Sequence, residues 1–293
     1  MKVLGTGLDG LVGSRIVELL SDKYEFENLS IGTGLDITDR KAVLQRIKNS
    51  KAQVVLHLAA KTDVDGCELD KALGEKGDCW KINVFGTQNV VDGCLRSNKK
   101  IIYISTDFVF DGKKDVYTEE DIPNPINWYA KTKYEGEKIV QSSKTPWIIV
   151  RIAYPYRANF TKLDFFRAIL KRFQERQSVV AVTDHVFTPT FIDDIAFALD
   201  TLIDNNSQGM FHVVGSQSLT PYEAAVLIAK EFDLDTPQIS QTTRAEFFNN
   251  RAPRSFQLVL KNDKITKLGV RMRTFEDGLG EIKSQNAKVK IAS

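Results

Sequence analysis

Thr6-Gly7-Leu8-Asp9-Gly10-Leu11-Val12-Gly13 stands directly behind a short run that starts at the first residue, Met1-Lys2-Val3-Leu4-Gly5. It opens a segment with Val12, Ile16, Leu19 and Leu20 at helical spacing. A turn that tight between a strand and a helix needs residues without a Cβ. Gly7 permits the sharp exit from the strand, Gly10 lets backbone approach a pyrophosphate, and Gly13 lets the helix pack close to the sheet. The helix N-terminus then offers free N–H groups and partial positive charge to phosphates. The stretch from Gly7 to Gly13, with Leu8, Asp9, Leu11 and Val12 between the glycines, is therefore read as a dinucleotide-binding loop. The competing reading is a merely structural turn.

Outward from the loop, apolar runs of buried-strand type alternate with helical stretches. Val54–Leu58, Ile101–Ser105 and Trp147–Ile152 are continuous rather than alternating, as in parallel strands covered on both faces. Asn83 to Cys94 reads as a helix between two of them. The fold class implied is α/β, a doubly wound parallel sheet, over residues 1–155. Residues 156–293 read as a smaller substrate-binding lobe, partly interleaved with the first domain: a helix over Leu163–Phe173, a strand at Val179–Val182, a helix over Ile192–Leu202, a strand at Gly209–Val214 and a helix over Pro221–Phe232, capped by Thr220. The basic tail from Lys283 to Lys290 reads as a solvated, frayed terminus.

Composition removes several classes. Forty Lys plus Arg against 38 Asp plus Glu leave +2, without the basic excess of a nucleic-acid binder. No run approaches the roughly 18 apolar residues of a membrane span, and the start is too short for a signal peptide. Cys67, Cys79 and Cys94 form an odd set without C-x-x-C spacing, which argues against a disulfide framework and a zinc site. His57, His185 and His212 are scattered, no metal site is expected, and a reducing cytoplasm is the economical location.

Tyr129-Ala130-Lys131-Thr132-Lys133 carries the chemistry. Tyr129 and Lys133 at i and i+4 share one helix face. A tyrosine with a pKa near about 10 is a poor acid at neutral pH, and an ammonium a few ångströms away is expected to pull that value down. Ser105-Thr106-Asp107 closes a strand where a hydroxyl can reach the same carbonyl.

Beyond these local readings, the G-x-x-G-x-x-G spacing resembles that of the short-chain dehydrogenase/reductases. Ser105-Thr106-Asp107-Phe108-Val109-Phe110-Asp111-Gly112 is similar to the S-T-D-Y-V-F-D-G of dTDP-4-dehydrorhamnose reductases, and Pro123 to Glu137 to their P-x-P-x-N-x-Y-G-x-T-K-x-x-G-E. Asn83-Val84-Phe85-Gly86-Thr87, Ala59 to Asp65, Thr188-Pro189-Thr190 and Arg251-Ala252-Pro253-Arg254 continue the resemblance, which runs from Met1 to about Leu279. It implies reduction of the C4 ketone of a nucleotide-linked 4-keto-6-deoxy sugar by NADPH or NADH. Tyr129 would give the proton, Lys133 would hold the nicotinamide ribose, and Thr106 would bond the carbonyl. Asp36 and Ile37 would flank the adenine, with Leu58, Ala59, Ala60, Lys61 and Asn83 also on the cofactor. Asp107, Tyr154 and Arg254 would meet the substrate, and Arg157 is a second candidate for its diphosphate.

The stretch where an acid or arginine would choose between the two nucleotides reads Leu29-Ser30-Ile31-Gly32-Thr33-Gly34, with neither, so both cofactors stay open. Tyr154 replaces the tryptophan that packs on the sugar, Arg157 the closing glycine of that segment, and Lys61 the tyrosine of A-A-Y-T. Asp107-Phe108 lacks the glutamate of a dehydratase. A nucleotide-sugar epimerase of the same superfamily, and a non-catalytic regulatory subunit like that of methionine adenosyltransferase, are the competing readings. Expected partners are the nucleotide-sugar substrate and, for assembly, a second copy in a homodimer.

Overall fold

The computed structural model describes residues 1–234 and 239–292. The first half builds β1 (Lys2–Thr6), α1 (Leu11–Leu20), β2 (Glu25–Leu29), α2 (Arg40–Asn49), β3 (Val54–His57), α3 (Val64–Asp70), α4 (Asp78–Trp80), α5 (Thr87–Arg96), β4 (Lys100–Thr106), α6 (Trp128–Ser142) and β5 (Trp147–Ile152). The second adds β6 (Pro155–Tyr156), α7 (Phe165–Gln174), β7 (Val179–Val182), β8 (Thr190–Phe191), α8 (Ile192–Asp204), β9 (Gly209–His212), α9 (Pro221–Glu231), β10 (Ile239–Thr242), α10 (Arg244–Phe247), α11 (Asp263–Thr266) and α12 (Phe275–Ala292). Six parallel strands form one sheet in the order β2-β1-β3-β4-β5-β9. The order reverses between β1 and β3, and ligands of open α/β sheets sit outside the carboxyl ends at such a reversal.

Both faces of the sheet are buried, which is why its strands are apolar throughout. On one face Ile16 and Leu20 of α1 and Ile195, Leu199 and Leu202 of α8 cover Val3, Leu56, Ile102, Ile148 and Val150. On the other, Val43 and Ile47 of α2, Val90 and Val91 of α5 and Val140 of α6 cover Leu4, Val55, Ile101 and Ile149. The chain after residue 155 thus returns to finish the first unit, supplying α8 and the edge strand β9. A separate core of Tyr156, Phe166, Phe187, Ile228 and Phe275 holds the remaining lobe together.

Beneath β5, next to the edge strand, Arg151 and Glu137 form a fully enclosed pair, with Nε–Oε1 2.9 Å and Nη2–Oε2 2.7 Å. Thr220 caps α9 reciprocally with Glu223, as its position suggested.

Three expectations need correction. Residues 81–86, expected in a regular helix, form a π-helical turn before α5. The tail is helical to Ala292, and Lys283 is docked, donating to Glu231 O (2.6 Å) and to Asp233 Oδ2 (2.8 Å). Cys67 and Cys79 are joined as a disulfide, their Cα atoms 5.4 Å apart, while Cys94 is free and buried. Counting an odd set misleads here because α3 and α4 fold back on each other and bring just those two together.

Candidate active site

The carboxyl ends of β1, β3, β4 and β5 open into one cavity of about 720 Å3. The glycine loop forms its first wall. Gly7 has φ +71°, and a Cβ on it would come within 2.9 Å of Ala59 N. A Cβ on Gly13 would lie 2.5 Å from Gly7 O and 2.6 Å from Leu8 Cα. Helix α1 has Gly10 as its N-cap, with no side-chain cap and no acid in its first turn, so its N–H groups remain open to an anion. This cradle of backbone and helix end fits a dinucleotide pyrophosphate. Below it, Thr6 Oγ1 bonds His57 Nδ1 (2.7 Å) and accepts the Ala59 N–H (3.1 Å), locking the β1 and β3 ends together. Burial drives the His57 pKa down to about 3, so it stays neutral.

Helix α6, capped by Asn127 through Ala130 N (2.8 Å), brings Tyr129 and Lys133 to the opposite wall. Lys133 Nζ donates to Ile104 O (2.8 Å) and stands 4.1 Å from the centre of the Tyr103 ring. Burial lowers its pKa to about 7, with Glu137 acting the other way. Thr106 ends β4; its hydroxyl donates to Asp107 Oδ1 (2.9 Å) and accepts the Phe108 N–H (3.2 Å). Asp107 is buried, its Oδ2 has no partner, and burial pushes its carboxyl up to about 7. The Tyr129 phenol differs from expectation. Burial, then Asp107, push it well above its ordinary value, and Thr106 beside it only partly offsets them. Lys133 does not offset them, and the same burial lowers the lysine's own pKa to about 7. A protonated phenol is the form that can give a proton away.

Tyr154 is held in the left-handed region at φ +39°. Its hydroxyl donates to His185 Nε2 (3.1 Å), because His185 Nδ1 faces Ser255 O at 2.8 Å and carries the proton. Phe187 and Phe108 pack on the Tyr154 ring, with centroids 4.5 and 5.8 Å away.

Of the residues singled out from sequence, Gly7, Asp9, Gly10, Leu11, Val12, Gly13, Asp36, Ile37, Leu58, Ala59, Ala60, Thr106, Asp107, Tyr129, Lys133 and Tyr154 line this cavity. Five do not reach it. Leu8 turns into the core beneath the loop. Asn83 is buried and clamps the end of β3, taking the Lys61 N–H (2.8 Å) and donating to Lys61 O (3.1 Å) and Thr132 Oγ1 (2.9 Å). Lys61 leans toward Asp70 (3.7 Å). Arg254 is taken by Asp65 (3.0 Å) and Ala252 O (2.7 Å). Arg157 is committed to Glu18 (2.7 and 2.6 Å) and Ser14 (2.9 Å) of α1. Sequence reasoning missed Phe160, Lys162 and Leu163, which close the cavity from the second lobe on the loop that Arg157 pins. It also missed His185, whose part depends on a contact with Ser255 that no spacing reveals.

With this geometry in hand, comparison with known proteins is direct. The model of the RmlD substrate binding domain matches residues 1–287. A dTDP-4-dehydrorhamnose reductase of Aggregatibacter actinomycetemcomitans is 30% identical over 262 residues, covering 84% of this chain and 86% of that one. Methionine adenosyltransferase 2 subunit beta of Mus musculus is 30% identical over 301 residues, covering 96% and 86%. The crystal structure of the Bacillus anthracis dTDP-4-dehydrorhamnose reductase in complex with NADP superposes with a TM-score of 0.89 at 27% identity, covering 97% of this chain and 99% of that one. Glycine cradle, Thr106 strand end and Tyr129–Lys133 helix thus lie within a match that runs almost end to end, and the chain belongs to the RmlD family.

Proposed function

We propose that this chain reduces the C4 ketone of a nucleotide-linked 4-keto-6-deoxy sugar, dTDP-4-dehydrorhamnose first, using NADPH or NADH. The observation that carries the reading is the convergence of Thr106, Tyr129 and Lys133 on the wall facing an uncapped, glycine-lined helix end. A bound nicotinamide supplies the hydride; binding, orientation and the proton fall to the protein. Tyr129, kept protonated by burial, donates its proton to the oxygen that gains charge as the carbonyl is reduced. Thr106 gives that oxygen a second hydrogen bond by turning its hydroxyl away from Asp107. Lys133 binds the nicotinamide ribose and, in its ammonium form, stabilises the phenolate that proton donation leaves on Tyr129. Tyr154, pinned through His185, offers the flat apolar surface on which the sugar stacks.

A regulatory, non-catalytic role is the second reading, favoured by the relative named as an adenosyltransferase subunit. Turnover separates the two. The purified chain is given dTDP-4-keto-6-deoxy-L-lyxo-hexulose with NADPH or NADH, and loss of cofactor absorbance is followed. The reductase reading expects oxidation that falls about 10²–10⁴-fold in Tyr129→Phe while nucleotide binding persists. Bound nucleotide with no oxidation would overturn it in favour of the subunit. No helix among the described residues is long and apolar enough to cross a membrane.

A further inference from the structure

The far end of the cavity raises a question that its chemistry can answer: which nicotinamide nucleotide it takes. In doubly wound dinucleotide sites the adenosine ribose lies at the end of the second strand, where an acid accepts from the 2′-hydroxyl or an arginine receives the 2′-phosphate. Here β2 ends at Leu29 and the turn that follows has neither. The fold supplies an acid from another element. A Cβ built on Gly32 would lie 3.3 Å from Asp9 Oδ2 and 3.4 Å from Ser30 Oγ. The Asp9 carboxylate of the glycine loop and the Ser30 hydroxyl therefore flank one small space at the end of β2, and both line the cavity.

The placement is held from two sides. Asn28 Oδ1 takes the Leu8 N–H (3.2 Å) while Asn28 Nδ2 donates to Ser30 Oγ (3.3 Å), which ties the loop residue before Asp9 to the end of β2. Thr33 Oγ1 takes the Ser30 N–H (2.9 Å) and donates to Ser30 O (3.0 Å), closing the following turn with Gly32 between them. The two lysines along the cavity, Lys133 and Lys162, belong elsewhere: one is bonded to β4 and the other rides on the second lobe's loop. A 2′-phosphate entering here would meet a carboxylate and no cation, whereas a 2′-hydroxyl would find two acceptors.

We propose that Asp9 makes this chain selective for NADH over NADPH. The inference rests on the reading of the cavity as a nicotinamide-nucleotide site and adds which nucleotide that site selects. Its test needs no sugar. Dissociation constants for NADH and NADPH are measured by isothermal titration calorimetry on the wild type, Asp9→Asn, Asp9→Ser and, as a control outside the cavity, Asp263→Asn, whose exposed carboxylate lies 3.9 Å from Lys261.

Wild type is expected to bind NADH about tenfold or more tightly than NADPH, from like-charge repulsion at contact range. The gap should shrink as salt is raised. Both Asp9 variants should close it to within about threefold by gaining NADPH affinity, and Asp263→Asn should leave it unchanged. Equal affinities in the wild type, or a gap unmoved in the Asp9 variants, would overturn the role of Asp9. A folded wild type that binds neither nucleotide would overturn the dinucleotide reading itself, and the proposal with it.

Discussion

Glu137 offers the sharpest test of how β5 is held against α6. Its side chain is 0% exposed and that of Arg151, its bidentate partner, 1%. The guanidinium's other neighbours cannot replace the charge. His212 Nε2 lies 3.3 Å from Nη1 and, with its pKa driven to about 3 by burial and then Arg151, is neutral; Phe110 presents its ring 4.9 Å away. Glu137→Gln keeps the shape and one acceptor but leaves a buried cation without a counter-charge, which costs about 3–5 kcal/mol. At roughly 2–4 °C per kcal/mol for a chain of this size, Tm should fall by about 6–20 °C. Replacing both partners at once, Glu137→Leu with Arg151→Met, removes the charge from the core and should recover most of that loss. Urea unfolding and thermal melts of the single and double variants measure it. A loss below about 1 kcal/mol in the single variant, or a double variant no better than it, would refute the argument. Because Glu137 also raises the Lys133 pKa, the single variant should push that lysine further below about 7, moving the alkaline limb of any activity profile to lower pH.

Further expectations follow from the same contacts. Gly13→Ala puts a methyl 2.5 Å from Gly7 O, against backbone that cannot swing aside; about 1–3 kcal/mol of stability and at least about tenfold in nucleotide affinity should be lost, read by melts and binding titration. Lys133, with a pKa lowered in the fold to about 7, binds fewer protons folded than unfolded between pH 7 and 10, so its contribution makes stability rise with pH across that window; in Lys133→Met this slope should flatten in urea titrations. Denatured, unreduced protein should show one reactive thiol, Cys94, and three after reduction; opening the Cys67–Cys79 link, 12 residues apart, should cost about 3 kcal/mol.

What could be read from the chain alone was what a short stretch encodes. The glycine loop needs only a strand, three glycines and a helix in succession, and Tyr129 and Lys133 share a face because four residues make about one turn. The buried strands were legible because both faces of the sheet are covered and no polar alternation interrupts them. What stayed hidden depends on partners distant in sequence. Arg157 was assigned to a diphosphate, yet Glu18, on a helix 139 residues earlier, claims it. The Tyr129 pKa was reasoned from its lysine neighbour, while the larger influence, burial beneath Phe108 and next to Asp107, comes from the turn that follows β4. Asp9 lies in a motif named for its glycines, and its nearness to Ser30 exists only once β1 and β2 lie side by side.

The return of the chain to the sheet also matters while the protein is being made. Strand β5 ends at Ile152 and its partner β9 begins only at Gly209, so β5 leaves the ribosome with one hydrogen-bonding edge uncovered. At 5–20 residues per second that interval lasts roughly 3–11 seconds. During it the apolar run Trp-Ile-Ile-Val-Arg-Ile is an open template for another strand. Slower translation between residues 152 and 209, or a weakened β9, should therefore tell on soluble yield during synthesis before it tells on the finished enzyme.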